Sequence, residues 1–170
     1  MTNERELEDY ICENIESFIE KLKEIYRVND IQFLGRQIKI GYQNIADLIF
    51  YSKHNLEGFE VIDYYIVELK FRKLEPKDLA QLNRYMNILE NKVREKYEDK
   101  EVNVYGIFVS TGANEEMKYI LDRINSSSDG NRIISIAFET KLSLEEENFW
   151  LNEDYINNLE LDNRIEELYE

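Results

Sequence analysis

The stretch YYIVELKF, Tyr64 to Phe71, opens with four residues that are apolar or aromatic at every position. Successive residues of a strand point to opposite faces, so such a run requires cover on both sides, as in an interior strand of a sheet with helices packed against it. The chain is thereby directed toward a layered α/β arrangement. Tyr65, Val67, Leu69 and Phe71 share one face and must pack on a helix layer, while Ile66, Glu68 and Lys70 share the other. On the preceding strand-like segment, IADLIF, Asp47 interrupts the apolar pattern in the same way. Charges at strand centres cost several kcal/mol per ion in effective terms unless each is paired or coordinates a metal.

An ion pair of Lys70 with one carboxylate leaves the other uncompensated. A divalent cation resolves the count, because Asp and Glu supply the hard oxygen ligands that suit Mg²⁺. A lysine beside them can orient or deprotonate a nucleophilic water, or neutralise charge developing on a phosphate, which is the chemistry of phosphodiester hydrolysis. On residue chemistry alone the structural ion pair and the metal site stand level, since charged residues are also common at sheet edges.

The remaining pattern places these residues in an order of elements. Leu7, Ile11, Ile15, Phe18 and Leu22 recur at helical spacing and predict one amphipathic helix from about Asn3 to Ile25. IQFLGRQIKIGYQ, IADLIFYS and FEVIDYYIVELKF read as three strands of an antiparallel meander, with KHNLEG as the turn before the third. Pro76 fits the first turn of a helix that carries Leu79, Leu82, Met86 and Leu89 and reaches about Lys96. VNVYGIFVS, EEMKYILDRI and RIISIAF then read as strand, helix and strand, a parallel crossover unit. The predicted order is αβββαβαβ, a mixed central sheet flanked by helices. From Lys141 to Glu170, Trp150, Tyr155, Leu159, Ile165 and Leu168 lie among acids, predicting an acidic helical extension of one or two short amphipathic helices that cover the core or meet a partner. The expected division is therefore a domain over residues 1–140 and an extension over 141–170.

Composition narrows the function classes. A chain of 170 residues with 43% hydrophobic content supports one domain with a core, and it has no apolar run long enough for a membrane span. MTNERELEDY lacks the pattern of a secretory signal, so the cytoplasm is the expected compartment and no membrane the expected partner. Cys12 and His54 are the only residues of their kinds, which excludes an internal disulfide and a zinc site of several Cys or His ligands. His54, in the predicted turn, reads as an exposed loop residue. With no Ser or Cys partner pattern around it, a serine or cysteine hydrolase is not expected.

The net charge of −15 argues against a broad phosphate-binding surface. Its distribution softens that objection: residues 141–170 carry ten acidic against two basic side chains, about half of the excess. Lys70 to Arg84 has the opposite balance, with Lys70, Arg72, Lys73, Lys77 and Arg84 against Glu75 and Asp78.

Asp47, then Glu68-Leu69-Lys70 after a hairpin, then Gln81-Leu82-Asn83-Arg84-Tyr85 on the next helix together resemble the PD-(D/E)XK, or restriction-endonuclease-like, nuclease superfamily. The Gln-x-x-x-Tyr element resembles its RecB-like branch. GRQIKIGYQNIADLIFYSK with YYIVELKFRKLEPKDLAQLNRYMNIL is similar to C-terminal nuclease domains of the YhcG type and, more distantly, to NucS-type nucleases, over about Glu4 to Thr140. A D…ExK triplet alone is a weak signal, whereas the triplet on predicted strands, with a helix before and Gln-x-x-x-Tyr after, is much stronger. Ala46 stands where the proline of the superfamily's name would be.

The resemblance implies an αβββαβ core and a Mg²⁺-dependent nuclease, with Mn²⁺ as a substitute and DNA as the expected nucleic acid. It assigns Asp47 and Glu68 as metal ligands with the Leu69 carbonyl as a third, Lys70 as the group acting on the attacking water and the transition state, and Gln81 and Tyr85 as its support from the helix. An acid of the first helix often completes such sites; Glu4 is the first choice, with Glu6 and Glu8 as competitors. Gln81 and Tyr85 have a plain alternative as cover for the apolar face of their helix. Arg36 reads equally as a phosphate ligand or a structural pair. The alternative function is a nuclease fold that has lost catalysis and serves as a nucleic-acid-binding or protein-interaction module. A homodimer or a separate partner would supply specificity.

Overall fold

The computed structural model describes residues 2–127, 132–142 and 147–151. Ten elements follow in the order α1 (Glu4–Glu13), α2 (Ile15–Tyr26), β1 (Gln32–Gly41), β2 (Asn44–Leu56), β3 (Phe59–Leu69), α3 (Pro76–Lys96), β4 (Glu101–Ser110), α4 (Glu115–Ser127), β5 (Ile133–Leu142) and β6 (Glu147–Leu151). The strands form one sheet in the order β1-β2-β3-β4-β5-β6. The first three are antiparallel, β3-β4 and β4-β5 are parallel, and β5-β6 is antiparallel. The expected meander and crossover unit are both present, so β3, apolar on both parities, has strands on either side.

Each face of the sheet carries its own core. On one, Leu7, Ile11, Phe18, Leu22 and Tyr26 of α1 and α2 pack on Phe50, Tyr65, Val67, Leu69 and Ile107. On the other, Leu82, Tyr85, Met86 and Leu89 of α3, with Met117 and Leu121 of α4, pack on Ile49, Ile66 and Phe108. At Gly106 of β4 a Cβ would come 2.7 Å from Met86 Sδ and 2.9 Å from Leu82 Cδ2. Glycine at that position lets α3 approach the sheet closely, and α3 brings Gln81 and Tyr85 with it.

Three sequence expectations change. The N-terminal segment is two helices, because Asn14 leaves helical geometry at φ −114° and ψ 34° and its side-chain Nδ2 donates to the Tyr10 carbonyl at 2.9 Å. Asparagine competes in this way with the backbone ladder. Strands β2 and β3 run deep into the expected turn, leaving Glu57 and Gly58 with φ of 51° and 87° as the tight connection. His54 therefore lies within β2, opposite Val61, with a side chain only 22% exposed rather than in a loop. Finally, the segment expected to be helical from residue 141 continues β5 to Leu142 and returns as β6, where Trp150 pairs with Glu139. Pairing with β5 satisfies the backbone of this strand along one edge. Tyr155, Leu159, Ile165 and Leu168 lie outside the described residues. No helix among the described residues is long and apolar enough to cross a membrane.

His54 stands against a buried acid remote from Glu68. Asp63 of β3 is 1% exposed; its Oδ1 accepts from Asn103 Nδ2 at 3.0 Å, and its Oδ2 lies 3.6 Å from His54 Nδ1. Burial, helped by the charge of Glu101 and opposed by Asn103 and His54, pushes the carboxyl up to about 6 from 3.8. A raised carboxyl pKa means that the folded state binds more protons than the unfolded one between those values. Its stabilisation is complete below the unfolded value and is lost as pH rises through about 6. Asp63→Asn removes this dependence. The variant is expected to gain about 1 kcal/mol on wild type between pH 5 and pH 7.5, measured by urea unfolding. A pH-independent difference would show that Asp63 titrates normally.

Candidate active site

The β2-β3 register, Leu48 with Val67 and Ile49 with Ile66, continues by one step to set Asp47 across from Glu68. Both residues stand near strand ends rather than strand centres: Asp47 is early in β2, and β3 finishes at Leu69. Lys70 lies just beyond the strand, held by its N–H donating to the Val109 carbonyl at 2.9 Å. The ends of β2 and β3 thus bring the three charges together, and Asp47 is further anchored by the Leu69 N–H, which donates to its Oδ2 at 2.8 Å.

Glu68 is 3% exposed, and its Oε1 is buried without a hydrogen-bond partner. Burial, then the neighbouring Asp47 charge, pushes its carboxyl up to about 9 against the opposing charge of Lys70. Asp47 is likewise raised, first by burial and further by the charge of Glu8, with the Leu69 N–H and Gln37 acting against the rise. Two carboxyl groups placed this way resist carrying two negative charges together.

From the α3 side, Lys70 Nζ donates to Gln81 Oε1 at 3.5 Å, and Gln81 Nε2 donates to the Tyr85 hydroxyl at 3.0 Å. Gln81 and Tyr85 are one helical turn apart, so they share a face of α3. The start of that helix is pinned to the loop after Lys70. Arg72 Nη1 and Nη2 donate to Asp78 Oδ2 and Oδ1, each at 2.7 Å, and the Glu75 N–H donates to Asp78 Oδ2 at 2.8 Å. Burial pushes the Asp78 carboxyl up, but these bonds outweigh it and leave the group below its ordinary value. Neither Arg72 nor Asp78 was singled out from the sequence for this purpose. The clamp joins positions six apart across a loop, for which no periodic signal exists.

From the α1 side, a cavity of about 460 Å³ is lined by Glu4, Arg5, Glu8, Arg36, Gln37, Asp47 and Leu69. Glu4 lines it, but Glu8 is the first-helix acid bound into the group around Asp47. It is 6% exposed, accepts from Arg36 Nε at 2.5 Å and from Gln37 Nε2 at 2.7 Å, and Gln37 Nε2 also donates to Asp47 Oδ1 at 3.2 Å. Glu6 is turned to Thr2 at the exposed start of α1. Arg36 spans Glu8 and Asp9, its Nη2 donating to Asp9 Oδ1 at 2.6 Å, so it takes the structural-pair reading. Among the described residues no set of three or more His, Cys, Asp and Glu side chains converges in a metal-binding cluster.

A family model, the YhcG PDDEXK nuclease domain, matches residues 1–152. The chain belongs to this nuclease family. Its fold is accordingly the restriction-endonuclease-like one, with α1 and α2, the β1-β3 meander, α3 and β4 forming the αβββαβ core. Two solved structures are also similar to it. One, an EndoMS complex with double-stranded DNA, is 25% identical, with 79% of this chain and 45% of that chain covered at a TM-score of 0.44. The other, a repair endonuclease from Pyrococcus abyssi, is 24% identical, with 72% of this chain and 44% of that chain covered at a TM-score of 0.44. The chain thus spans less than half the length of either protein. No curated protein matches the sequence.

Proposed function

We propose that this nuclease domain hydrolyses phosphodiester bonds of DNA in a reaction that depends on Mg²⁺ or Mn²⁺, with Asp47, Glu68 and the Leu69 carbonyl as metal ligands and Lys70 as the catalytic cation. The observation that carries the reading is the buried Glu68 Oε1 without a partner, beside Asp47, in a carboxyl pushed up to about 9. A buried carboxylate pair of this kind fits a divalent cation, which would take the place of the proton that the pair otherwise retains. When bound, the ion supplies Lewis-acid activation of the phosphate and lowers the pKa of water.

The chain's own groups do the rest. Lys70 Nζ orients the attacking water and offsets negative charge growing on the phosphate. Gln81 keeps the ammonium in place by accepting from it, and Tyr85 fixes the Gln81 amide in turn. Glu4 and Arg5 stand at the cavity on the α1 side, and Arg5 offers a cation toward a phosphate there. Arg36 serves the site through Glu8. We place the protein in the cytoplasm. A homodimer or a separate partner would provide specificity.

The net charge of −15 favours a second reading, a nuclease fold kept as a binding or interaction module without catalysis. Incubating the protein with linear, circular and branched DNA and with RNA, with and without Mg²⁺ or Mn²⁺, separates the two. Metal-dependent cleavage of DNA is expected. Binding without cleavage under every metal condition would select the module, and cleavage confined to RNA would overturn the substrate.

A further inference from the structure

We propose that Gln37 is a positioning residue that sets Asp47 and Glu8 relative to one another for cation binding, an inference that rests on the metal-ligand reading of Asp47. Gln37 lies in β1 between the pairs Arg36 with Leu48 and Ile38 with Ala46, directly across the ladder from Asp47. It holds a φ of 49°, a left-handed conformation that is uncommon for a residue with a Cβ and rarer inside a strand. Surroundings must hold a backbone there, and two carboxylates do so. The single Nε2 donates to Glu8 Oε2 at 2.7 Å and to Asp47 Oδ1 at 3.2 Å.

Every oxygen of the two acids is thereby engaged. Asp47 Oδ2 accepts from the Leu69 N–H, and Glu8 Oε1 accepts from Arg36 Nε. The neutral amide carries no charge to offset the two carboxylates that it joins. Arg36 offsets Glu8 through its own ion pair, and the amide fixes the spacing and orientation of both acids at the cavity that Gln37, Glu8 and Asp47 line together. A cation entering there meets an arrangement already made, with less side-chain ordering left to accomplish.

The test uses two substitutions that keep the backbone comfortable. Gln37→Asn retains an amide on a residue type that tolerates the left-handed region but shortens its reach by one methylene, and Gln37→Gly removes the amide while relieving the conformation. Thermal melting is followed across a Mn²⁺ titration and without metal. Both variants are expected to need about tenfold or more Mn²⁺ for half-maximal stabilisation, with no loss of metal-free melting temperature in Gln37→Gly. Wild-type midpoints in both would overturn the proposal, as would a metal-free melting loss in both with unchanged midpoints, which marks a purely structural role. The wild-type protein supplies the remaining arm: no Mn²⁺-induced stabilisation there would defeat the metal-ligand reading itself and this inference with it.

Discussion

Lys70→Ala is expected to reduce metal-dependent DNA cleavage by about 10²–10³-fold, in the range typical for loss of one preorganised donor to a transition state. The ammonium belongs to the first residue after β3, lies 3.5 Å from Gln81 Oε1, and its charge acts on both Asp47 and Glu68. Removing it takes away a competitor for those carboxylates, so Mn²⁺-induced stabilisation should be retained or strengthened. That combination distinguishes a catalytic cation from a structural ion-pair partner, whose loss would lower stability more than turnover. Single-turnover cleavage and melting with Mn²⁺ measure the two effects. Cleavage at the wild-type rate by the variant would return Lys70 to the structural role.

The second large effect is expected at the carboxylates. Asp47→Asn with Glu68→Gln keeps the volume of both side chains and an acceptor for the Leu69 N–H, so no cavity opens and the fold should persist. Removing two acids that resist ionising together should leave metal-free stability unchanged or raised, because the penalty of a buried charge disappears. For the wild-type protein, Mn²⁺ at 100 times its dissociation constant should add about 2.7 kcal/mol of stability. The double variant should lose that increment and all detectable cleavage. A Mn²⁺-induced melting shift of wild-type size in the variant would show that the ion binds elsewhere.

The reach of the sequence is clearest at β3. Alternation sets Glu68 on the face opposite Val67 and Leu69, and no packing detail is needed to see that a carboxylate there is costly. Gln81 and Tyr85 were legible for a similar reason, since four residues on a helix return to the same face. The antiparallel meander and the parallel crossover also followed from local pattern and connection length, which are short-range properties. Strand extent was less legible: Lys53, His54 and Asn55 resemble turn residues in composition, yet pairing with Glu60, Val61 and Ile62 carries them into β2.

Helical periodicity could not choose among the first-helix acids, because Glu4 and Glu8 lie on one face of α1 and both line the cavity. What separates them is contact with β1, a segment about 28 residues away, where Arg36 and Gln37 reach Glu8. Arg36 was equally open between phosphate and a structural pair until Glu8 and Asp9 were seen beside it. Gln37 gave no signal beyond its place in GRQ, since neither its positive φ nor its bonds to Glu8 and Asp47 follow from a local pattern. Which side chains share a strand face or a helix face could be read from the residues alone, because those periodicities are set by the backbone of a single element. Which acid stands near Asp47 and which amide joins them became visible in the folded chain, because those contacts depend on how α1, β1 and β2 dock, a product of packing over the whole core rather than of any one segment.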